Sequence, residues 1–471
     1  MQKDTDKKPV AFDSADFSGW IDGVMRNMPG TFRGVTQDTR KLKPGMLYVA
    51  LRGENFDGHD FVPDALAAGA SGALVNDSWH IPDQLNASPL IQVKNTRSAL
   101  LEAARAWRKL NSAKIIGVTG SSGKTTTKEI TAALLASRGR KVCRTEGNMN
   151  NDVGLPLSLL SMPRDCDFGV FELGTNHPGE ISVLADVLQP DFGIITSVGS
   201  AHIENFGSRD AIVREKGAML ASIPPEGCAF ISMETNGFST LKQMSSVPVF
   251  TVSTRNKDAD FYGFVLNEMN GHIRVTRLCT RECTELRSGL PGIYNADNLL
   301  LAFALAGIAG VSCLDAASAL EKVTLPAMRW QRIECEKGVE LINDAYNANP
   351  ESVDAVLKLF MNMTTEGRKI VVLGDMLELG DSAPELHRNV GAVVAASAPH
   401  LLCAVGPLSS EYISDGAVAK GFPQDRIMHF KDASAAGKAL KKSVLPNDTL
   451  LLKASRGMKL EKIIEELKGE L

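Results

Sequence analysis

The stretch GVTGSSGKTTTKE (117–129) brings together residue types suited to holding phosphate. Gly120 and Gly123 permit a tight turn and close approach of backbone to ligand. The amides of such a turn, with the start of the helix behind it, form a concave positive site for phosphate oxygens. Lys124 can reach the β- and γ-phosphates, and the Thr125 hydroxyl can hold Mg2+. Ser121, Ser122 and Thr126 belong to the same expected ATP-binding segment. The strict pattern G-x-x-x-x-G-K-[ST] would place its first glycine at Val118, so TGSSGKT is a shortened variant. The motif specifies a nucleotide phosphate and leaves the reaction open.

Other polar residues stand at strand ends. Glu172, in ELGTNHPGEI, follows an apolar run and can either meet a metal near Thr125 or stand as a surface carboxylate. His202, in SVGSAHIENFGS, follows another such run. Lys216, in REKGAML, falls on a helix, where a lone lysine is ordinarily solvated. Asn148, Asn150 and Asn151, in NMNNDVGLP, can donate to a pyrophosphate or a peptide, or cap turns. Arg40, in VTQDTR, can hold an acidic or nucleotide ligand. Asp344, in INDAYNANPES, can take ribose hydroxyls; GDMLELGD and LLKASRGMKLE are similar strand-to-loop segments. Every one of these also suits an ordinary strand-to-helix turn.

These residues need a scaffold. The chain has 471 residues, which suits two to four domains, and 44% hydrophobic with 23% charged residues is the balance of a soluble globular protein. A net charge of −4 argues against a general nucleic-acid binder. No apolar run approaches the ~20 residues of a membrane helix, so no membrane insertion is expected. MQKDTDKKPV lacks the apolar core of a signal peptide, and residues 1–10 read as a solvated tail. The eight cysteines are scattered; Cys279 and Cys283 alone make a poor zinc motif, and free thiols in a reducing cytoplasm are expected. Nothing in the sequence calls for an obligate oligomer, so a monomer is expected.

Strand and helix signals alternate along the chain. MLYVALRG, then HDFVPDALAAGASGALV, then LIQV outline a small α/β unit, followed by the helix SALLEAARAWRKLN. FGVFELG, FGIITSVG and CAFIS suit strands buried on both faces of a mainly parallel sheet. Residues 249–290 alternate in β fashion, with a hairpin turn expected at Asn270–Gly271. IVVLGD, HLLCAVG and DTLLLKAS repeat the α/β pattern after TLPAMRWQR. The expected architecture is α/β in three domains. They are a small N-terminal α/β domain (1–96), a central phosphate-loop-type domain with a mainly parallel sheet (97–326), and a C-terminal Rossmann-like domain (327–471).

In order along nearly the whole chain, DTR, ALRGENFDGHDF, TGSSGKTTTKE, NMNNDVGLPLSLL, ELGTNHPGEI, AHIENFGS, EKG, NADN, NDAYNANPES and GDMLELG resemble the Mur ligase family. DAYNANP and GDMLELG point to the branch that joins D-alanyl-D-alanine to UDP-N-acetylmuramoyl-tripeptide in peptidoglycan precursor synthesis. The resemblance implies that the first domain grips the UDP part through Thr36, Asp38, Thr39 and Arg40. It implies that Lys216 takes up CO2 as a carbamate, giving a carboxylate-like ligand beside Mg2+, with Thr125, Glu172 and His202 completing the metal set. Asn298 matches an adenine-side asparagine, Arg329 an arginine crossing from the third domain to ATP phosphate, and Asp344 the ribose contact. Asn148, Asn150, Asn151, Asn347 and Asn349 are expected on the substrate side. The chain departs from the family at Tyr294, which replaces a histidine, at Met328, which replaces a glycine before Arg329, and in KASR (453–456).

The implied reaction is amide synthesis with ATP. A carboxylate does not react with an amine at neutral pH, because the leaving group would be oxide; phosphorylation gives an acyl phosphate that does. Lys124, Lys216, His202 and Arg329 are the expected catalytic set, and His387, in ELHRNVG, is a candidate base for the acceptor amine. The alternatives are a related Mur or folate-type ligase adding a different amino acid, or an ATP-dependent switch protein that makes no bond.

Overall fold

Short apolar runs bounded by glycine or polar residues become strands whose two faces are both covered. Phe168–Glu172, Phe192–Ile195 and Cys228–Ser232 are three of these, and the last is buried along its whole length. The structure, a computed structural model, describes residues 9–468; residues 1–8 of the expected tail lie outside the described residues.

The central sheet has nine strands. From one edge they run Val142–Arg144, Phe168–Glu172, Lys114–Thr119, Phe192–Ile195, Cys228–Ser232, Val249–Ser253, Phe261–Asn267, His272–Arg277 and Cys283–Arg287. The first seven are parallel and the last two pair antiparallel. Strand order reverses beside Lys114–Thr119, which is flanked by Phe168–Glu172 and Phe192–Ile195. Open α/β sheets bind ligands beyond the carboxyl ends of their strands at such a reversal, and there the phosphate loop begins. The expected turn at Asn270–Gly271 is present, with Gly271 at φ 60° and Asn267 opposite His272 across a bulge.

Two apolar cores cover the faces of this sheet. On one, Ile130, Leu134 and Leu135 of helix Lys124–Leu135 meet Leu299–Leu305 of helix Ile293–Ile308. The other is continuous with the N-terminal unit: Phe12, Phe17, Phe32 and Trp107 share a cluster with Ile115, Leu155 and Leu184. Helix Thr96–Lys109 supplies Trp107, whose indole N–H donates to the Met162 carbonyl at 3.0 Å. The N-terminal unit has a five-stranded sheet with Val35–Thr36, Leu47–Val49, Gly72–Asn76 and Leu90–Val93 parallel and Val24–Arg26 antiparallel. Ala11–Asp13 and Thr31–Arg33 form a separate pair absent from the sequence reading.

The last sheet has six strands in the order Gln331–Glu334, Glu340–Asn343, Thr449–Lys453, Lys369–Gly374, Leu401–Val405, Ile427–Phe430, parallel except for the first pair. Among the cysteines, Cys143 and Cys166 bring their sulfurs to 2.6 Å in the core. Among the described residues no helix is long and apolar enough to cross a membrane.

Asp448 anchors the six-stranded sheet. Its buried carboxylate accepts from Arg368 Nη2 at 2.7 Å and from the Leu445 amide at 2.7 Å. Burial raises its pKa, and these donors outweigh that and hold it below the usual carboxylate range. A carboxylate depressed on folding stabilises fully above its unfolded value of about 3.9, and loses that contribution as pH falls through the folded value. Asp448→Asn should therefore cost about 1–3 kcal/mol at neutral pH. Urea unfolding between about pH 7 and pH 3 should show the gap to the native protein closing in acid; a pH-independent gap would contradict this.

Candidate active site

The phosphate loop is closed by two glycines that no other residue could replace. Gly120 has φ 148°, and a Cβ there would lie 2.0 Å from Thr196 Oγ1. Gly123 has φ 84°, and its Cβ would lie 2.3 Å from Asn298 Oδ1. The loop is sewn to the end of the neighbouring strand. Ser121 N donates to the Ser197 carbonyl at 2.8 Å, and Ser122 N donates to Ser197 Oγ at 3.0 Å. With those amides taken, the donors left for an anion are the first amides of helix Lys124–Leu135, which lack intrahelical acceptors. Lys124 lies over the turn with Nζ 2.8 Å from the Gly120 carbonyl. Desolvation lowers its pKa, Glu172 opposes that, and Arg329 adds to it.

Glu172 ends its strand buried, as its position implied. One oxygen accepts from Thr125 Oγ1 at 2.9 Å and the other from Asn150 Nδ2 at 2.8 Å. Its backbone amide donates to Thr145 Oγ1 at 3.0 Å. Lys216, on helix Arg209–Gly217, is only 2% exposed, and among the described residues its side chain makes no hydrogen bond or ion pair. Desolvation, then repulsion from Lys124, drives its pKa well below that of an ordinary lysine, against the pull of Glu215, Glu172 and Glu180. The solvated lysine that a helix position alone suggests is therefore excluded.

His202 stands apart from this group. It begins helix Ile203–Phe206 at φ 61° and pairs through Nδ1 with Glu378 of the third unit. Among the described residues no three His, Cys, Asp or Glu side chains cluster as metal ligands. Thr125 and Glu172 still offer oxygen donors that suit a hard cation. Glu172 is a buried carboxylate met only by neutral donors, and an amine biased to its neutral form stands within its field.

The third unit faces the loop. Arg329 stacks over Tyr346 with Cζ 4.2 Å from the ring centroid, and its buried Nε has no partner. Asp344 accepts from the Trp330 amide at 2.8 Å and from Lys453 Nζ at 2.6 Å, so both oxygens are engaged. Asn347 gives its carbonyl to Lys453 at 3.0 Å. Asn349 caps helix Pro350–Asn362 through Oδ1, and its Nδ2 donates to Ser122 Oγ at 3.2 Å. Asn298, expected beside adenine, accepts from Thr127 Oγ1 at 3.1 Å and backs Gly123. Thr126 is buried in the same helix. Met328, in place of the family's glycine, keeps a left-handed backbone at φ 65°.

The remaining expected residues have local partners. Asn151 caps helix Gly154–Leu160 through Oδ1, 2.8 Å from the Gly154 amide, and Asn148 is exposed, its carbonyl accepting from Asn150 N at 2.8 Å. Thr36 is buried and bonds the Asp38 backbone. Thr39 and the exposed Arg40 sit in the short turn that follows, where Asp38 holds Arg40 with contacts of 2.8 and 2.9 Å. That pairing is the main cause of a lowered Asp38 pKa. His387 is not a free base. It is fully buried, its Nδ1 donates to the Ala383 carbonyl at 2.7 Å, and its Nε2 accepts from the Met376 amide at 3.0 Å. The contacts of Ser197, Tyr346 and Lys453 were missed by sequence reasoning; only their positions at strand ends could have flagged them.

A strand-turn-helix phosphate site, with a buried lysine and carboxylate beside it and an arginine reaching over from a separate α/β unit, defines an ATP-dependent enzyme of the phosphate-loop class. Three sequence families run along the chain in order: Mur ligase family, catalytic domain (31–108), Mur ligase middle domain (118–306), and Mur ligase, glutamate ligase domain (328–456). The UDP-N-acetylmuramoyl-tripeptide–D-alanyl-D-alanine ligase of Bacillus subtilis is 35% identical over 437 residues, covering 92% of this chain and 93% of that protein. The Escherichia coli enzyme of the same name is 33% identical, covering 95% and 96%. Among solved structures, MurF from Acinetobacter baumannii aligns with a TM-score of 0.87 at 27% identity, covering 98% of this chain and 100% of that one. MurF ligase from Thermotoga maritima in complex with ADP aligns at 0.77 and 26%, covering 93% and 97%. The chain belongs to the Mur ligase family.

Gly123→Ala places a methyl group against Asn298 on a left-handed backbone. It should lower stability by about 2–4 kcal/mol in urea denaturation and weaken ATP binding in parallel; an unchanged midpoint would show that the loop does not hold this conformation.

Proposed function

We propose that this chain is an ATP-dependent amide ligase that joins D-alanyl-D-alanine to UDP-N-acetylmuramoyl-tripeptide, a step of peptidoglycan precursor synthesis. The observation that carries the reading is the meeting of Lys124, the Thr125–Glu172 pair and the buried Lys216 on one side with Arg329 on the other. The likeness to the named Bacillus and Escherichia ligases over nine-tenths of the chain supports the substrate pair.

The terminal carboxylate of the tripeptide attacks the γ-phosphoryl group of ATP, and ADP leaves. The amine of D-alanyl-D-alanine then attacks the acyl phosphate, and inorganic phosphate departs with one former carboxylate oxygen. Phosphoryl transfer is catalysed mainly by positioning and neutralisation of charge. The amides of Gly123–Thr126 hold the phosphates, Lys124 turns from the Gly120 carbonyl to them, and Arg329 covers them from the third unit. Closure of that unit keeps water from the acyl phosphate.

Thr125, Glu172 and Lys216 would hold Mg2+, with His202 joining once it leaves Glu378; the ion supplies charge for the phosphate oxygens. A neutral Lys216 amine adds CO2 and loses a proton, giving a carbamate, and thereby turns a buried near-cation into an anionic ligand. Asp344, bound by Lys453, keeps lone pairs for ribose hydroxyls. Thr36, Asp38, Thr39 and Arg40 take the UDP part, with Asn148, Asn150, Asn151, Asn347 and Asn349 toward the peptide. Domain limits near residues 96 and 326, action as a monomer, and a place in the cytoplasm, where ATP and UDP-linked precursors meet, complete the proposal.

A panel of acceptor amines with the diaminopimelate and lysine forms of the UDP-tripeptide tests this. ADP release should require both tripeptide and D-alanyl-D-alanine, and mass spectrometry should find the new amide. ATP turnover indifferent to both would overturn the reading. Lys216→Ala should reduce turnover by about 10²–10³-fold, with partial return on adding a short carboxylic acid. Near-native activity of that variant would remove the lysine from the mechanism.

A further inference from the structure

Glu351 leaves its own unit to make its contacts. It lies two residues past Asn349, the cap of helix Pro350–Asn362, where a glutamate is ordinarily solvated. Here Oε1 accepts from Ser200 N at 3.1 Å, from Ser200 Oγ at 2.8 Å and from Arg209 Nη2 at 3.2 Å, all in the central unit. Its Oε2 is buried without a partner among the described residues. Gly199 leaves room for the carboxyl group, since a Cβ there would be 3.1 Å from it.

The loop that receives Glu351 is the one that holds the phosphate loop. Gly199 N donates to Ser121 Oγ at 2.9 Å, Thr196 Oγ1 donates to the Ser122 carbonyl at 2.5 Å, and Ser197 takes the amides of Ser121 and Ser122. Asn349, two residues before Glu351, donates to Ser122 Oγ directly. One helix start therefore reaches the phosphate loop twice: through Asn349, and through Glu351 by way of Gly199 and Ser200.

We propose that Glu351 is a positioning residue for phosphoryl transfer: it ties the third unit to residues 197–200, so that docking of that unit and setting of the phosphate loop are a single event. Bonds to an ionised acceptor are stronger than neutral ones. Arg209 supplies the counter-charge from the central unit, so the tie requires both units. Arg329 is carried by the same unit as Glu351, and its placement over the phosphates follows from the same docking.

The proposal rests on the ligase reading for its effect on turnover and not for its effect on the loop. Full-length Glu351→Ala and Glu351→Gln proteins are compared with the native chain by hydrogen exchange with mass spectrometry and by amide formation at saturating ATP. Glu351→Gln keeps an acceptor oxygen and so remains informative if the alanine variant does not fold. Exchange over 119–124 and 197–202 should quicken about tenfold in the alanine variant, with kcat down by about 10- to 100-fold and the glutamine variant between. Unchanged exchange over 119–124, or kcat within about twofold of native in both variants, would overturn the proposal. If the native chain forms no amide, the ligase reading fails and the exchange result alone decides the role of Glu351.

Discussion

Closing the phosphate loop against its neighbour strand is the constraint from which the rest of the site follows. Ser197 takes the amides of Ser121 and Ser122, which leaves the helix start from Gly123 onward to face an anion. Thr196 and Asn298 press on the two positions where a side chain would not fit. That arrangement fixes where Lys124 lies and turns Thr125 toward Glu172. The strand-order reversal beside Lys114–Thr119 brings Glu172 and the 196–200 loop to opposite sides of the same turn. The geometry belongs to the sheet, not to the loop alone.

Charge organises what the sheet has placed. Two lysines with depressed pKa values, Lys124 and Lys216, lie in the field of the buried Glu172, with Glu215 and Glu180 also acting on Lys216, and Arg329 adds positive charge beside Lys124. Lys124 and Arg329 place positive charge where negative charge moves during phosphoryl transfer. The helix start at Asn349–Glu351 links this field to the docking of the third unit. Chemistry and closure then depend on the same few contacts.

Much of this was legible in the sequence because strands buried on both faces leave a distinctive text. FGVFE, FGII and CAFIS are short apolar strands, and the first two lead directly into Glu172 and into Thr196 and Ser197 of the site. Lys124 and Thr125 follow from the strand–turn–helix text, whereas for Glu172 a metal ligand and a surface carboxylate are equally open on sequence alone. Lys216 could not be placed, because a lone helical lysine looks the same buried or exposed. Contacts between distant segments were also hidden: Asn349 to Ser122, Lys453 to Asp344, and His202 to Glu378 depend on how units pack. The contact of Asn150 with Glu172 was hidden for the same reason. His387 looked chemically available until both ring nitrogens proved to be holding backbone.

The central claim is that the bound triphosphate serves to phosphorylate a carboxyl group. The most direct test follows oxygen. UDP-tripeptide carrying 18O in its terminal carboxylate is turned over with ATP and D-alanyl-D-alanine, and the inorganic phosphate is analysed by mass spectrometry. One labelled oxygen should appear in phosphate for each amide formed. Amide formation with unlabelled phosphate would contradict the account.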